Sequence, residues 1–86
     1  MGGRPMRVEG LDVTETEDGL VVLNQASGRV CHLNPTAAVV FDLADGQHGP
    51  DEIAGRLAQV FGLSEAPTAD VVAALDRLRE EGLLVI

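Results

Sequence analysis

Cys31 and His32 are the only adjacent nucleophile and base in the chain. Together they suggest a thiolate activated by an imidazole, as covalent catalysis requires. Neighbouring residues of a strand point to opposite faces, however, so this pair is expected as a core cysteine beside a surface histidine. A metal centre has too few donors. Zinc takes three or four protein ligands, and the chain has one Cys and two His, His32 and His48, without ligand-like spacing. No G-x-G-x-x-G and no phosphate-cradling P-loop occurs. The paired acids Asp51-Glu52 and Glu80-Glu81 fall at expected helix ends, one beside a favourable dipole and the other in a solvated turn. No catalytic constellation results. The expectation is no enzyme activity, no cofactor and no metal.

The elements that position these residues divide into a strand-like front and a helical back. Residues 1–6 have no periodicity and are expected to fray as a disordered N-terminus. Val8 to Glu17 reads as extended, and Asp18-Gly19 is a turn signal. Leu20-Val21-Val22-Leu23 suits a strand buried on one face. A second turn over Asn24 to Gly28 leads into Arg29-Val30-Cys31-His32-Leu33, which alternates sides as a third strand would. Asn34-Pro35 is an N-cap followed by proline at the first helical position. The helix it opens is apolar almost all round, hence central, and is expected to close at Gly46. Asp45 then lies against the negative end of the helix dipole, which the sequence does not explain. A second helix starts at Pro50 and ends at Gly62, with Ile53, Leu57, Val60 and Phe61 on one face and Leu63 placed to pack on the cap. A third starts near Pro67 or Thr68 with the core stripe Val71, Leu75 and Leu78, and stops at Gly82. Leu83 to Ile86 is too apolar for a free tail and is expected to pack back as a short strand or arm. The class is α+β: a three-stranded antiparallel N-terminal sheet followed by a three-helix bundle, of the winged helix-turn-helix type, in one domain over residues 7–86.

Charge removes several functions from this architecture. Fourteen acidic residues stand against six basic ones, all Arg, for a net charge of −8. Binding to polyanions depends on Lys and Arg displacing counterions. The third helix, where a winged helix would enter the major groove, has net −2 between Pro67 and Glu81. A DNA-binding or transcription-associated winged helix is therefore the alternative reading. The longest apolar run, Ala37 to Phe41, is far short of the ~20 residues that span a bilayer. With one Cys and no signal-peptide pattern, a cytoplasmic protein without nucleic-acid or membrane partners is expected. Ser27 and Ser64, the only serines, lack the Asp-Ser-Leu context of a carrier protein's prosthetic-group site.

A surface that binds without catalysing remains. A third strand at the sheet edge would offer unpaired N–H and C=O groups to another strand, so a peptide could add by β-augmentation. Four backbone hydrogen bonds at ~0.5–1.5 kcal/mol each fall short of the ~8 kcal/mol of micromolar binding. The rest must come from apolar side chains in a groove whose other wall would be the third helix. The same exposed edge and apolar end would let the domain pair with itself as a homodimer.

The run Leu23 to Pro35 resembles the "vLd-x-x-t-G-x-x-x-x-L-N" stretch of PqqD-like proteins. Leu43-Ala44-Asp45-Gly46 is similar to their "L-x-D-G" helix end, and Ile53, Ala54, Leu57 and Phe61 to their "e-I-a-x-x-L-x-x-x-f" helix. Asp70 to Leu84 resembles "D-V-x-x-x-L-x-x-L-x-x-x-G-L-L". The resemblance covers about residues 12–84. It implies a RiPP recognition element, which binds the leader segment of a ribosomally made precursor peptide and presents it to a maturation enzyme, a leader peptidase or a radical SAM protein. Carried over by position, the pairing strand is Arg29, Val30, Cys31, His32 and Leu33. The helix contacts are Val72, Asp76 and Arg79 beside the stripe residue Leu75. Cys31 stands where many relatives have an aromatic residue. The Pro-Glu near the second turn of quinone-pathway members is missing from Asn24 to Gly28, which favours a lasso-type or other peptide-maturation relative.

Overall fold

Two turns fold the front half into a meander. In the computed structural model, which describes residues 4–85, β1 (Met6–Arg7) precedes β2 (Leu11–Thr16), β3 (Gly19–Asn24) and β4 (Arg29–Leu33). Three helices follow, α1 (Pro35–Leu43), α2 (Pro50–Phe61) and α3 (Thr68–Glu80), and β5 (Leu84–Val85) is the last element among the described residues. The larger sheet is antiparallel in the order β2-β3-β4. Its pairing is continuous from Leu11↔Asn24 to Thr16↔Gly19 and from Leu20↔Leu33 to Asn24↔Arg29. The period of two puts Val22, Cys31 and Leu33 on the inner face, where all are buried, and Val30 and His32 on the outer face. Val8 lies before the strand expected to contain it, and its N–H donates to the Leu83 carbonyl at 3.0 Å.

Gly19 is the tightest point of the meander. Its φ of 140° lies where side-chain-bearing residues are rare, and a Cβ there would collide with the carbonyl oxygen of Leu33. Gly19→Ala is expected to cost about 2 kcal/mol or more, because β3 and β4 must separate to admit the methyl. Urea unfolding of the two proteins measures it; equal midpoints would show that the close approach is not needed.

The core lies between the inner sheet face and the helices, with α1 touching β3, β4, α2 and α3. Its aliphatic filling includes Val40, Ile53, Leu57, Val71, Leu75 and Leu78. Asn34 caps α1 by accepting the Ala37 N–H at 2.8 Å. The other end of α1 departs from the sequence reading. The helix stops at Leu43, with Ala44 as its cap. Arg7, distant in sequence, donates from Nη1 to the carbonyl oxygens of Phe41 at 2.9 Å and Asp42 at 2.7 Å, with its guanidinium 5.5 Å from the Phe41 ring centroid. A cation thus meets the negative end of the dipole. Asp45 lies beyond the helix, and its carboxylate accepts the Gln47 N–H at 2.9 Å and faces His48 Nδ1 at 3.0 Å. The Gln47 bond first, and His48 after it, hold its pKa below the ordinary aspartate value.

The N-terminal expectation also needs correction. Pro5 is fully buried, and Met6 and Arg7 pair with Val85 and Leu84. The Pro5 carbonyl accepts the Gly46 N–H at 2.9 Å, and the Arg7 N–H donates to the Ala44 carbonyl at 3.0 Å. These bonds order the segment because the apolar end, with Leu83 and Leu84 buried, needs a partner strand; residues 1–3 lie outside the described residues. The packed-back arm expected at the C-terminus is β5. On α2, Ile53 and Leu57 are buried as the stripe implies, but Val60, Phe61 and Leu63 are exposed. The last turn of that helix runs past the core.

Candidate functional site

Among the described residues β4 is a sheet edge, paired to β3 alone. The register shows which of its backbone groups are free. Only two residues separate Thr16 from Gly19, so that closing pair must be bonded to each other, and bonded pairs then alternate along the ladder. The Gln25 N–H to Gly10 carbonyl bond at 3.1 Å continues the same alternation. Residues 19, 21 and 23 of β3 therefore bond to β2, and residues 20, 22 and 24 bond to β4. On β4, Arg29, Cys31 and Leu33 face β3. Val30 and His32 turn their N–H and C=O groups to the open side.

α3 runs beside this edge. Arg29 Nη2 meets Glu81 Oε1 at 2.8 Å, joining the start of β4 to the end of α3. Near the other end of β4 a cleft of ≈ 310 Å³ opens between the β4–α1 junction and α3. Leu33, Ala37, Ala74 and Leu78 give it an apolar lining, and Asn34, Thr36, Asp70 and Arg77 a polar one. Neither Asp70 nor Arg77 has a salt-bridge partner among the described residues. They stand seven residues apart, about 10 Å along the helix, so the cleft presents opposite charges along one wall.

The five predicted strand residues lie together on this edge. Leu75 is buried in the core behind it. Val72, Asp76 and Arg79 are elsewhere. At 100° per residue they project from roughly the opposite side of α3 to Asp70, Ala74 and Arg77. Arg79 pairs with Asp76 at 3.4 Å, both more than half exposed, a contact worth ~0–1 kcal/mol. The stripe Val71, Leu75, Leu78 has two flanks, one residue before it and one after, and β4 faces the earlier flank. The sequence signal for Asp70, Ala74 and Arg77 was thus present as a second stripe, but with nothing to choose it.

Cys31 and His32 form no dyad; the cysteine is buried and the histidine exposed. Burial raises the Cys31 pKa, with Glu81 adding to the effect against Arg77 and Arg29. The thiol stays protonated at neutral pH and acts as a small apolar group in the core behind the strand. Among the described residues no group of three or more His, Cys, Asp and Glu side chains could hold a metal ion, and no helix is long and apolar enough to cross a membrane.

The profile described as coenzyme PQQ synthesis protein D (PqqD) matches residues 19–84. Among curated proteins no significant match is found. Two solved structures are similar over nearly the whole chain. "Lasso peptide synthetase B1 complexed with the leader peptide" is 25% identical, with a TM-score of 0.78, covering 96% of this chain and 99% of that one. "TbiB1 in Complex with the TbiA(beta) Leader Peptide" is 18% identical, with a TM-score of 0.77, covering 92% and 93%, and shares the fold.

Proposed function

The chain belongs to the PqqD family, and from that premise we propose that it is a non-catalytic adaptor that binds the leader segment of a ribosomally made precursor peptide. The leader adds as an extra strand to β4, bonding to the outward N–H and C=O groups of Val30 and His32. Its side chains on the inner face enter the cleft between β4 and α3. The open edge beside a partly apolar cleft is the observation that carries this reading, and the structure solved with a leader peptide, 25% identical to this chain, supports it.

The energetics need both parts. Four outward backbone groups at ~0.5–1.5 kcal/mol per bond reach only part of the ~8 kcal/mol for micromolar affinity. Burying apolar leader side chains on Leu33, Ala37, Ala74 and Leu78 adds ~25 cal/mol per Å². Asp70 and Arg77 set direction, favouring a basic leader residue near the start of α3 and an acidic one two turns on. The partner that receives the leader is a maturation enzyme of a lasso-type or related peptide pathway, a leader peptidase or a radical SAM protein. The turn and helix pair α2–α3 beside the sheet is read as a winged-helix variant whose third helix serves a peptide rather than DNA, in keeping with its acidic surface.

Titration of the ¹⁵N-labelled chain with the leader segment encoded beside its gene tests the proposal. Amide shifts are expected at Val30, His32, Ala74 and Arg77. Shifts confined to α2, or none at saturating peptide, would overturn it.

A further inference from the structure

The other edge of the sheet borders a second cleft, of ≈ 210 Å³, between β2–β3 and the outer side of α1. Leu20, Ala38 and Val39 line it with apolar surface, and Glu15 and Asp42 supply its carboxylates. The two acids come from different elements and converge on one opening. Neither forms a salt bridge among the described residues. Arg7, the cation nearest in the hydrogen-bond network, is engaged by the main-chain carbonyls of Phe41 and Asp42.

The surroundings carry the same sign. Residues 8–28 contain Glu9, Asp12, Glu15, Glu17 and Asp18 and not one Arg, Lys or His. The β4 side differs, with Arg29 on the strand and Arg77 in its cleft. One sheet therefore separates a mixed-charge edge from a uniformly acidic one. The two edges are two strand spacings apart, about 10 Å, so both can be occupied at once.

We propose that this second cleft is a docking socket for an exposed arginine on the basic surface of a partner protein. The aliphatic stem of the arginine lies on Leu20, Ala38 and Val39. Its guanidinium reaches Glu15 and Asp42, two carboxylates on one opening, which suit a planar fork of donors better than a point-charge lysine ammonium. A peptide-binding domain with a separate acidic face can hold its peptide and a second protein together. Acidic residues around the socket draw a basic surface in and orient it before contact.

The test uses acetyl-Gly-Arg-Gly-amide as a probe for the socket, with the neutral citrulline peptide as its control. Titration into the ¹⁵N-labelled full chain is expected to give saturable shifts at Leu20, Ala38 and Val39 that leave Val30 and Ala74 unmoved. The double variant Glu15→Gln/Asp42→Asn, exposed and near-isosteric, keeps the native spectrum and weakens the probe by about fivefold or more, as does the change to citrulline. Unsaturable shifts spread over all the acidic positions would identify charge attraction without a site and overturn the proposal. So would equal affinity for the double variant or for the citrulline peptide. Loss of leader binding would leave these readouts untouched, so the two proposals fail separately.

Discussion

Val30→Pro lowers affinity for the leader segment by about tenfold or more, while urea unfolding shifts by about 1 kcal/mol or less. The register is the reason. The Val30 N–H points to the open side of β4, so a proline there removes no bond to β3, and edge strands accept proline. It does remove one donor, ~0.5–1.5 kcal/mol, and sets a pyrrolidine ring where the incoming strand must approach. Arg29, the preceding residue, is already extended, as a residue before proline prefers. Cys31→Pro is the matched control. Its N–H bonds to β3, so that substitution breaks the ladder and is expected to unfold the sheet. Isothermal titration with the leader segment, alongside unfolding of each variant, separates the two. If Val30→Pro binds as the parent does, no strand adds to β4.

Ala74→Phe is expected to reduce leader affinity by roughly tenfold to a hundredfold with little change in stability. Ala74 is a partly exposed residue in the wall of the cleft opposite Leu33 and Ala37. A phenyl ring there occupies space that leader side chains would fill, and burying one such side chain is worth ~1.5–3 kcal/mol. Val72→Asp supplies the contrast. It lies on the far flank of α3, is 43% exposed, and should leave affinity within about twofold, as surface changes usually fall within ±0.5 kcal/mol. If the pair behaves in reverse, with Val72→Asp weakening binding and Ala74→Phe neutral, the leader lies on the opposite flank of the helix.

Most elements were legible because their signals are local. The Asn34-Pro35 start of α1, the Pro50 start and Gly62 stop of α2, and the period of two in Arg29–Leu33 depend only on neighbours along the chain. The errors cluster where distant residues decide. Arg7 and Pro5 meet the end of α1 and the turn after it from some forty residues away, so the early stop of that helix and the ordering of Met6 had no local mark. Val60 and Phe61 continue the apolar period of α2 but stay 61% and 42% exposed. Periodicity reports which face could be buried, while coverage depends on where the neighbouring elements end.

The amino-acid order by itself determined the α+β class, the strand Arg29–Leu33 and the core stripe of α3. Each follows from side-chain alternation or helical spacing. Only the tertiary structure decided that β4 is an edge, and that the flank Asp70, Ala74, Arg77 rather than Val72, Asp76, Arg79 faces it. The two flanks are near mirror choices about one buried stripe, equally compatible with a 3.6-residue period. Which of them meets the strand depends on how α3 crosses the sheet. That crossing follows from packing among α1, α2 and the inner face of the sheet, a property of contacts between elements that no single segment carries.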